Sequence, residues 1–281
     1  MEQNSQNALE GAYVLATGDA AADRLRVLHG LYGPGARDVL LRAGLRRGMR
    51  VADLGCGVGM VTALLGELVG PGGHVVGVDA SGEQIAKARE LLPRGSSNIS
   101  FVEASATDTG LPRASFDLVY CRFLLIHLTE PERALWEMHD LLKPNGILVC
   151  EDGDLTSAGS QPPSALDAFA DLFGRLGPSR GVDYTLGREL FQMVHAASFS
   201  RPEITFNQPV VARGEGKRLL EWSIAEAGPA FVAAGLVTSD ELDRVLAEMQ
   251  RVAEDETVLA LMPRMRQVWA RKFVPHASAA A

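Results

Sequence analysis

The stretch Val51-Ala-Asp-Leu-Gly-Cys-Gly-Val-Gly-Met60 constrains the chain more than any other. Three glycines at alternate positions follow an apolar run and open the helical-period segment MVTALLGELV, so the stretch predicts a strand, a tight turn and a helix. Glycine adopts positive φ and lets a ligand reach the main chain without meeting a Cβ. The helix behind the turn directs its free N–H groups at that ligand. Gly55, Gly57 and Gly59 therefore mark a binding turn, with Cys56 inside it.

The pattern then repeats in kind. HVVGVDA, NISFVEA, FDLVYC and ILVCED read as further strands, GEQIAKARELL and PERALWEMHDLL as helices, and PGG and KPNG as turns, with Thr129 expected to cap the second helix. Strands apolar on both faces and alternating with helices predict an α/β fold, a Rossmann-like doubly wound, mostly parallel sheet of seven strands with helices on both faces. Before it, Pro34 is expected near a helix start. After Glu151 the expected order is a loop, a helix at ALDAFADLFGRL, a helix ending near ASF, a strand at RPEITFNQ, helices over residues 215–261 opened by a capping box at Thr238–Glu241, and a last strand at RQVWARKF. Two helical insertions among late strands predict a cap over the strand ends. The expected division is an N-terminal lid (1–32), a binding core (33–154), a cap insertion (155–184), the core continued (185–212), a second cap insertion (213–263), and the last strand and tail (264–281).

The formal charge of -8, from 27 Lys and Arg against 35 Asp and Glu, opposes a phosphate backbone and makes nucleic acid a poor partner. The N-terminus lacks a signal-peptide pattern, and no apolar run is long enough to span a bilayer, so a cytoplasmic protein without membrane partner is expected. Cys56, Cys121 and Cys150 are too scattered for a disulfide framework or a metal site. The acidic run Glu151–Asp154 reads as a solvated loop rather than a metal site, and Trp136, Met138 and Leu141 read as a core stripe.

Two cofactor classes use a glycine turn between strand and helix. A dinucleotide site wants its third glycine at position 60, which is Met60, so that reading loses ground. Asp53, two residues ahead of the first glycine, suits a ligand with a cationic amino group and no phosphates.

VADLGCGVG, followed at the expected intervals by VVGVDAS, FDLVYC and LLKPNG, resembles the class I S-adenosylmethionine-dependent methyltransferases of the small-molecule type. The resemblance runs from about Arg50 to Asp152. It implies that the glycine turn passes under the methionine part of S-adenosylmethionine, with Asp53 near the amino group. It further implies that Asp79, followed by Ala80, takes both ribose hydroxyls, and that Gln84 flanks ribose and adenine. Where the family often reads Gly-Asp-Ala, this chain has Ala104, Ser105 and Ala106, so Ser105 and Ala106 become the adenine candidates, with Asp108 as a substitute. Arg122 matches a position whose backbone borders the cofactor, its side chain being either functional or a surface charge.

The implied reaction moves a methyl group to O, N or C of a small organic acceptor, such as a natural-product intermediate, and needs alignment more than a nucleophile. Where a base is needed, His127 is the candidate, with a competing role as a brace for the next helix; Tyr13, in the lid, is a second candidate. Glu151 and Asp152 either meet the acceptor or cap the sheet. Two alternatives stand: an S-adenosylmethionine-binding protein that regulates or assists a cyclisation, and a nicotinamide-dependent oxidoreductase. Closure of the cap across a homodimer is left open.

Overall fold

The computed structural model describes residues 14–273. Helix α1 (Gly18–Ala43) leads into β1 (Arg50–Leu54), α2 (Met60–Val69), β2 (His74–Asp79), α3 (Gly82–Leu91), β3 (Ile99–Glu103), β4 (Phe116–Arg122), α4 (Pro131–Leu141) and β5 (Leu142–Asp154). There follow β6 (Gly159–Gln161), α5 (Ala168–Arg180), α6 (Leu190–Ala196), β7 (Phe199–Asn207), β8 (Val210–Val211), α7 (Leu219–Ala233), α8 (Ser239–Glu254), β9 (Leu259–Leu261) and β10 (Arg264–Lys272).

Seven strands form one sheet in the order β3-β2-β1-β4-β5-β10-β7. The first five run parallel, and β10 lies antiparallel between β5 and β7. Alternate residues of each strand point to opposite faces. Val51, Leu118 and Val149 accordingly join Val39 and Leu40 of α1 and Leu65 and Val69 of α2 in one core cluster. Ala52, Val119 and Leu148 join Leu135 and Met138 of α4 and Leu190 and Val194 of α6 in another. The expected doubly wound sheet is what the chain forms.

Several local expectations are corrected. Pro34 lies inside α1, which runs unbroken past it. An interior proline costs a helix about 3 kcal/mol, and burial of Tyr32, Ala36, Val39 and Leu40 on the same helix offsets it. The α4 cap is Glu130 rather than Thr129, because Pro131 occupies the first helical position, where its fixed φ starts the helix. Trp136 is 59% exposed while Met138 and Leu141 are buried, so the tryptophan falls off the core stripe. KPNG is an irregularity within β5: Asn145 takes φ 63, and the pairing register with β4 slips beside it. Glu151–Asp154 is no solvated loop, since all four residues are buried in β5. Residues 259–261, expected to be helical, form β9, which pairs with β6 and β8 in a small second sheet.

The box at Thr238 forms as expected: the Glu241 N–H donates to Thr238 Oγ1 at 3.3 Å and the Thr238 N–H to Glu241 Oε2 at 2.8 Å. Thr238→Ala is expected to lower stability by about 1 kcal/mol, read as a shift in the urea midpoint at unchanged slope. An unshifted midpoint would show that α8 is held by its packed face alone.

Candidate active site

The C-terminal ends of β1, β2 and β4 open on one cavity of about 810 Å³, which α1, α5 and α7 cover. Open α/β sheets place ligands at this end, where helix N-termini converge.

Each glycine of the turn has its own reason to lack a side chain. All three take positive φ: 70 at Gly55, 54 at Gly57 and 79 at Gly59. A Cβ on Gly55 would come within 2.8 Å of Leu124 Cδ1, and one on Gly59 within 3.0 Å of Phe101 Cζ, so these two let neighbouring segments close in. At Gly57 the nearest atom would be Leu25 Cδ1 at 3.8 Å, and its backbone lies open to the cavity. The turn is held from below, with the Gly55 and Cys56 N–H groups donating to the Val78 carbonyl at 2.8 and 2.9 Å.

Asp79 ties the turn to β2. Its Oδ2 accepts from the Gly57 N–H at 2.8 Å and its Oδ1 from the Ser81 N–H at 3.0 Å. Burial pushes its pKa up, and these backbone N–H groups oppose the shift. Asp53, 2% exposed, accepts a hydrogen bond from the Thr62 hydroxyl at 2.6 Å. Burial raises its pKa to about 7, against the Thr62 bond and the positive charge of Arg122. Arg122 lines the cavity and has a buried Nη1 without a hydrogen-bond partner among the described residues, so its side chain is not a surface charge. A carboxylate and a guanidinium on one wall complement the two charges of an amino acid zwitterion.

The Asp53 value fixes a pH dependence. The ordinary pKa is 3.8 and the folded one about 7. Below the ordinary value both states hold the proton; between the two the unfolded chain releases it and the folded protein keeps it, so this contribution to stability is lost as pH rises through about 7. Asp53→Asn, which keeps an oxygen for Thr62, is expected to gain in melting temperature relative to the parent between about pH 4 and about pH 8. A difference independent of pH would remove the titration from Asp53.

The remaining expected site residues divide. Ala80, Gln84, Cys56, Ser105 and Ala106 all line the cavity. Ser105 Oγ is engaged with Thr107 Oγ1 at 2.8 Å, and Asp108 is exposed and off the cavity wall, so Asp108 does not take the vacant adenine role. His127 lines the cavity, but burial and the charge of Arg24 push its pKa down to about 3. A general base works best with a pKa near the working pH, and burial makes His127 a weaker base than an ordinary histidine. Tyr13 lies outside the described residues.

Glu151 and Asp152 brace the sheet and are absent from the cavity wall. Glu151 accepts from Tyr120 Oη at 2.5 Å and Gln267 Nε2 at 2.6 Å. Asp152 Oδ2 accepts from the Leu125 N–H at 2.8 Å, holding the turn that carries His127. Sequence reasoning missed Arg24, Thr17, Phe169 and Phe173, all cavity residues. Thr17 Oγ1 donates to Glu83 Oε2 at 2.6 Å, fastening the segment before α1 to α3. No motif signals these residues; each comes from a helix or segment remote in sequence from the glycine turn. Among the described residues no cluster of three or more His, Cys, Asp or Glu is placed to hold a metal ion, and no helix is long and apolar enough to cross a membrane.

Residues 52–150 match a methyltransferase domain family, over the span that carries the glycine turn, Asp79 and Arg122. Residues 52–150 form a methyltransferase domain of the class I S-adenosylmethionine-dependent type. This methyltransferase domain is 37% identical over 156 residues to the ubiquinone/menaquinone biosynthesis C-methyltransferase UbiE of Pseudomonas fluorescens, covering 54% of this chain and 61% of that one. It is 37% identical over 120 residues to the demethylmenaquinone methyltransferase of Geobacillus stearothermophilus, covering 41% of this chain and 49% of that one. The matches thus span about half to three fifths of those relatives' length. Among solved structures, a Bacillus halodurans protein described as a putative methyltransferase shares the fold at TM-score 0.57 and 17% identity, covering 84% of this chain and 98% of that one. The Bacillus subtilis YcgJ protein does so at TM-score 0.56 and 21% identity, covering 84% and 96%. With the family in place and Met60 at the position of a third dinucleotide glycine, the nicotinamide alternative falls away.

Proposed function

We propose that this methyltransferase transfers the methyl group of S-adenosylmethionine to a small organic acceptor. The observation that carries the reading is the convergence of Asp53, the open backbone of Gly57, Asp79 and Arg122 on one cavity whose other walls are largely apolar. The residues fit the cofactor: the Asp53 carboxylate for its ammonium, the unpartnered Arg122 N–H for its carboxylate, and two oxygens of Asp79 for a ribose. Gly55, Cys56 and Ala80 shape the floor beneath it, Gly59 lies behind them against Phe101, and Gln84, Ser105 and Ala106 face the adenine side.

The bound cofactor supplies a methyl already activated by a sulfonium charge. The chain's own part is to hold and align. Buried Asp53 stays in place through Thr62, and the Leu125–His127 turn, fixed by Asp152, sets the wall where an acceptor meets the methyl. His127 serves there as an uncharged neighbour of the acceptor, and Tyr13 is retained as a second group to test. Leu155, Phe169 and Phe173 from residues 155–184, with Leu219, Leu220 and Ser223 from residues 213–263, line the far side, which supports the division into core and cap. Of the acceptor atoms, carbon is favoured by the names of the curated relatives.

Incubation with cofactor carrying a deuterated methyl and a metabolite extract, read by mass spectrometry, is expected to yield a labelled product. Calorimetric binding of S-adenosylhomocysteine without any labelled product would favour the binding or cyclisation-assisting alternative.

A further inference from the structure

The cavity has a cation that the cofactor reading does not use. Arg24 on α1 lines it and is 5% exposed. Its Nε donates to Glu226 Oε2 on α7 at 2.8 Å, and the same oxygen accepts from the Ala16 N–H at 3.0 Å. Glu226 is not on the cavity wall, so it fixes the guanidinium from behind. Among the described residues, Arg24 Nη2 is buried and has no hydrogen-bond partner. A guanidinium is charged at every accessible pH and only donates; a buried donor left unpaired costs free energy that a ligand oxygen would recover. The cavity that Arg24 lines is apolar on its cap side, where Leu155, Phe169, Phe173, Leu219 and Leu220 face it, and the Arg24 charge is felt by His127 on the same wall. The cavity, at about 810 Å³, sits toward the upper end of the range of about 300–1,000 Å³ found for small-molecule sites, with room for an acceptor beside a cofactor.

We propose that the acceptor pairs an apolar, ring-sized body with one oxygen anion, and that Arg24 is the specificity-determining residue that binds this anion. The body is held between the Phe169 and Phe173 wall and the leucines of α7, where aromatic and aliphatic contact is non-directional. The anion supplies direction, turning one edge of the acceptor toward Arg24 and so fixing which atom faces the cofactor. The inference rests on the methyltransferase reading above and deepens it.

The test uses the full chain saturated with S-adenosylhomocysteine and two probes of equal shape, 2-naphthoate and the neutral 2-naphthamide, titrated by calorimetry. Naphthoate is expected to bind at least about tenfold more tightly, the worth of one charge-assisted hydrogen bond. Arg24→Gln is expected to erase the preference and leave S-adenosylhomocysteine affinity within about twofold. Glu226→Ala breaks the same α1–α7 tie but keeps the guanidinium, and is expected to retain the preference, which a merely structural Arg24 would not allow. Equal binding of the two probes, binding of neither, or a preference that survives Arg24→Gln overturns the proposal. So does an Arg24→Gln variant that loses S-adenosylhomocysteine and keeps naphthoate, which would move the guanidinium to the cofactor. Should the parent chain fail to bind S-adenosylhomocysteine at all, the methyltransferase reading fails first.

Discussion

Asp79→Ala is expected to weaken S-adenosylhomocysteine binding by about 100-fold or more in calorimetry. Hydrogen bonds to a charged group are worth about 1.5–3 kcal/mol each, and each 1.4 kcal/mol is about tenfold in affinity. The substitution removes both oxygens proposed for the ribose. It also strips the Gly57 and Ser81 N–H groups of their acceptors at 2.8 and 3.0 Å, so the glycine turn loses its anchor to β2. Asp79→Asn separates these effects: it keeps one acceptor oxygen and the side-chain volume, and is expected to recover part of the affinity. Affinity unchanged in Asp79→Ala would place the ribose elsewhere and undo the proposed orientation of the cofactor.

The largest expected effect on stability lies at Glu151, fully buried between β4 and β10. Burial raises its pKa, and the Arg122 charge, with the Tyr120 and Gln267 hydrogen bonds, opposes that shift. Glu151→Ala leaves the Tyr120 hydroxyl and the Gln267 amide without their acceptor and opens a void in the sheet. Each orphaned donor costs about 1–3 kcal/mol, so a loss of about 3–5 kcal/mol is expected in urea unfolding. Glu151→Gln retains an acceptor for Tyr120, and Gln267 can turn its own oxygen toward the new amide; it is expected to lose much less. A Glu151→Ala variant within about 1 kcal/mol of the parent would mean that the hydrogen bonds in this network contribute little beyond what water supplies.

The two carboxylates beside each other in β5 show why the sequence is ambiguous where it is polar. Glu-Asp-Gly-Asp looks solvated because charged residues are almost never fully buried without partners. The partners exist, but they come from Tyr120, Gln267, the backbone of the Leu125–His127 turn and, for Asp154, Arg188 at 2.8 Å. Pro34 misleads in a related way: local preference ends a helix there, whereas the core beneath α1 holds it together.

By itself the sequence determined the alternation of strands and helices, the glycine turn, and the places of Asp53 and Asp79 at the ends of β1 and β2. These are contacts between near neighbours in the chain, where spacing and residue type specify the backbone directly. Only the tertiary structure decided which face of the cavity is charged and which is apolar, that Arg24 and Glu226 meet 202 residues apart, and that His127 is held uncharged. Burial and pairing set those properties, and both depend on which distant segments the fold brings to the same spot.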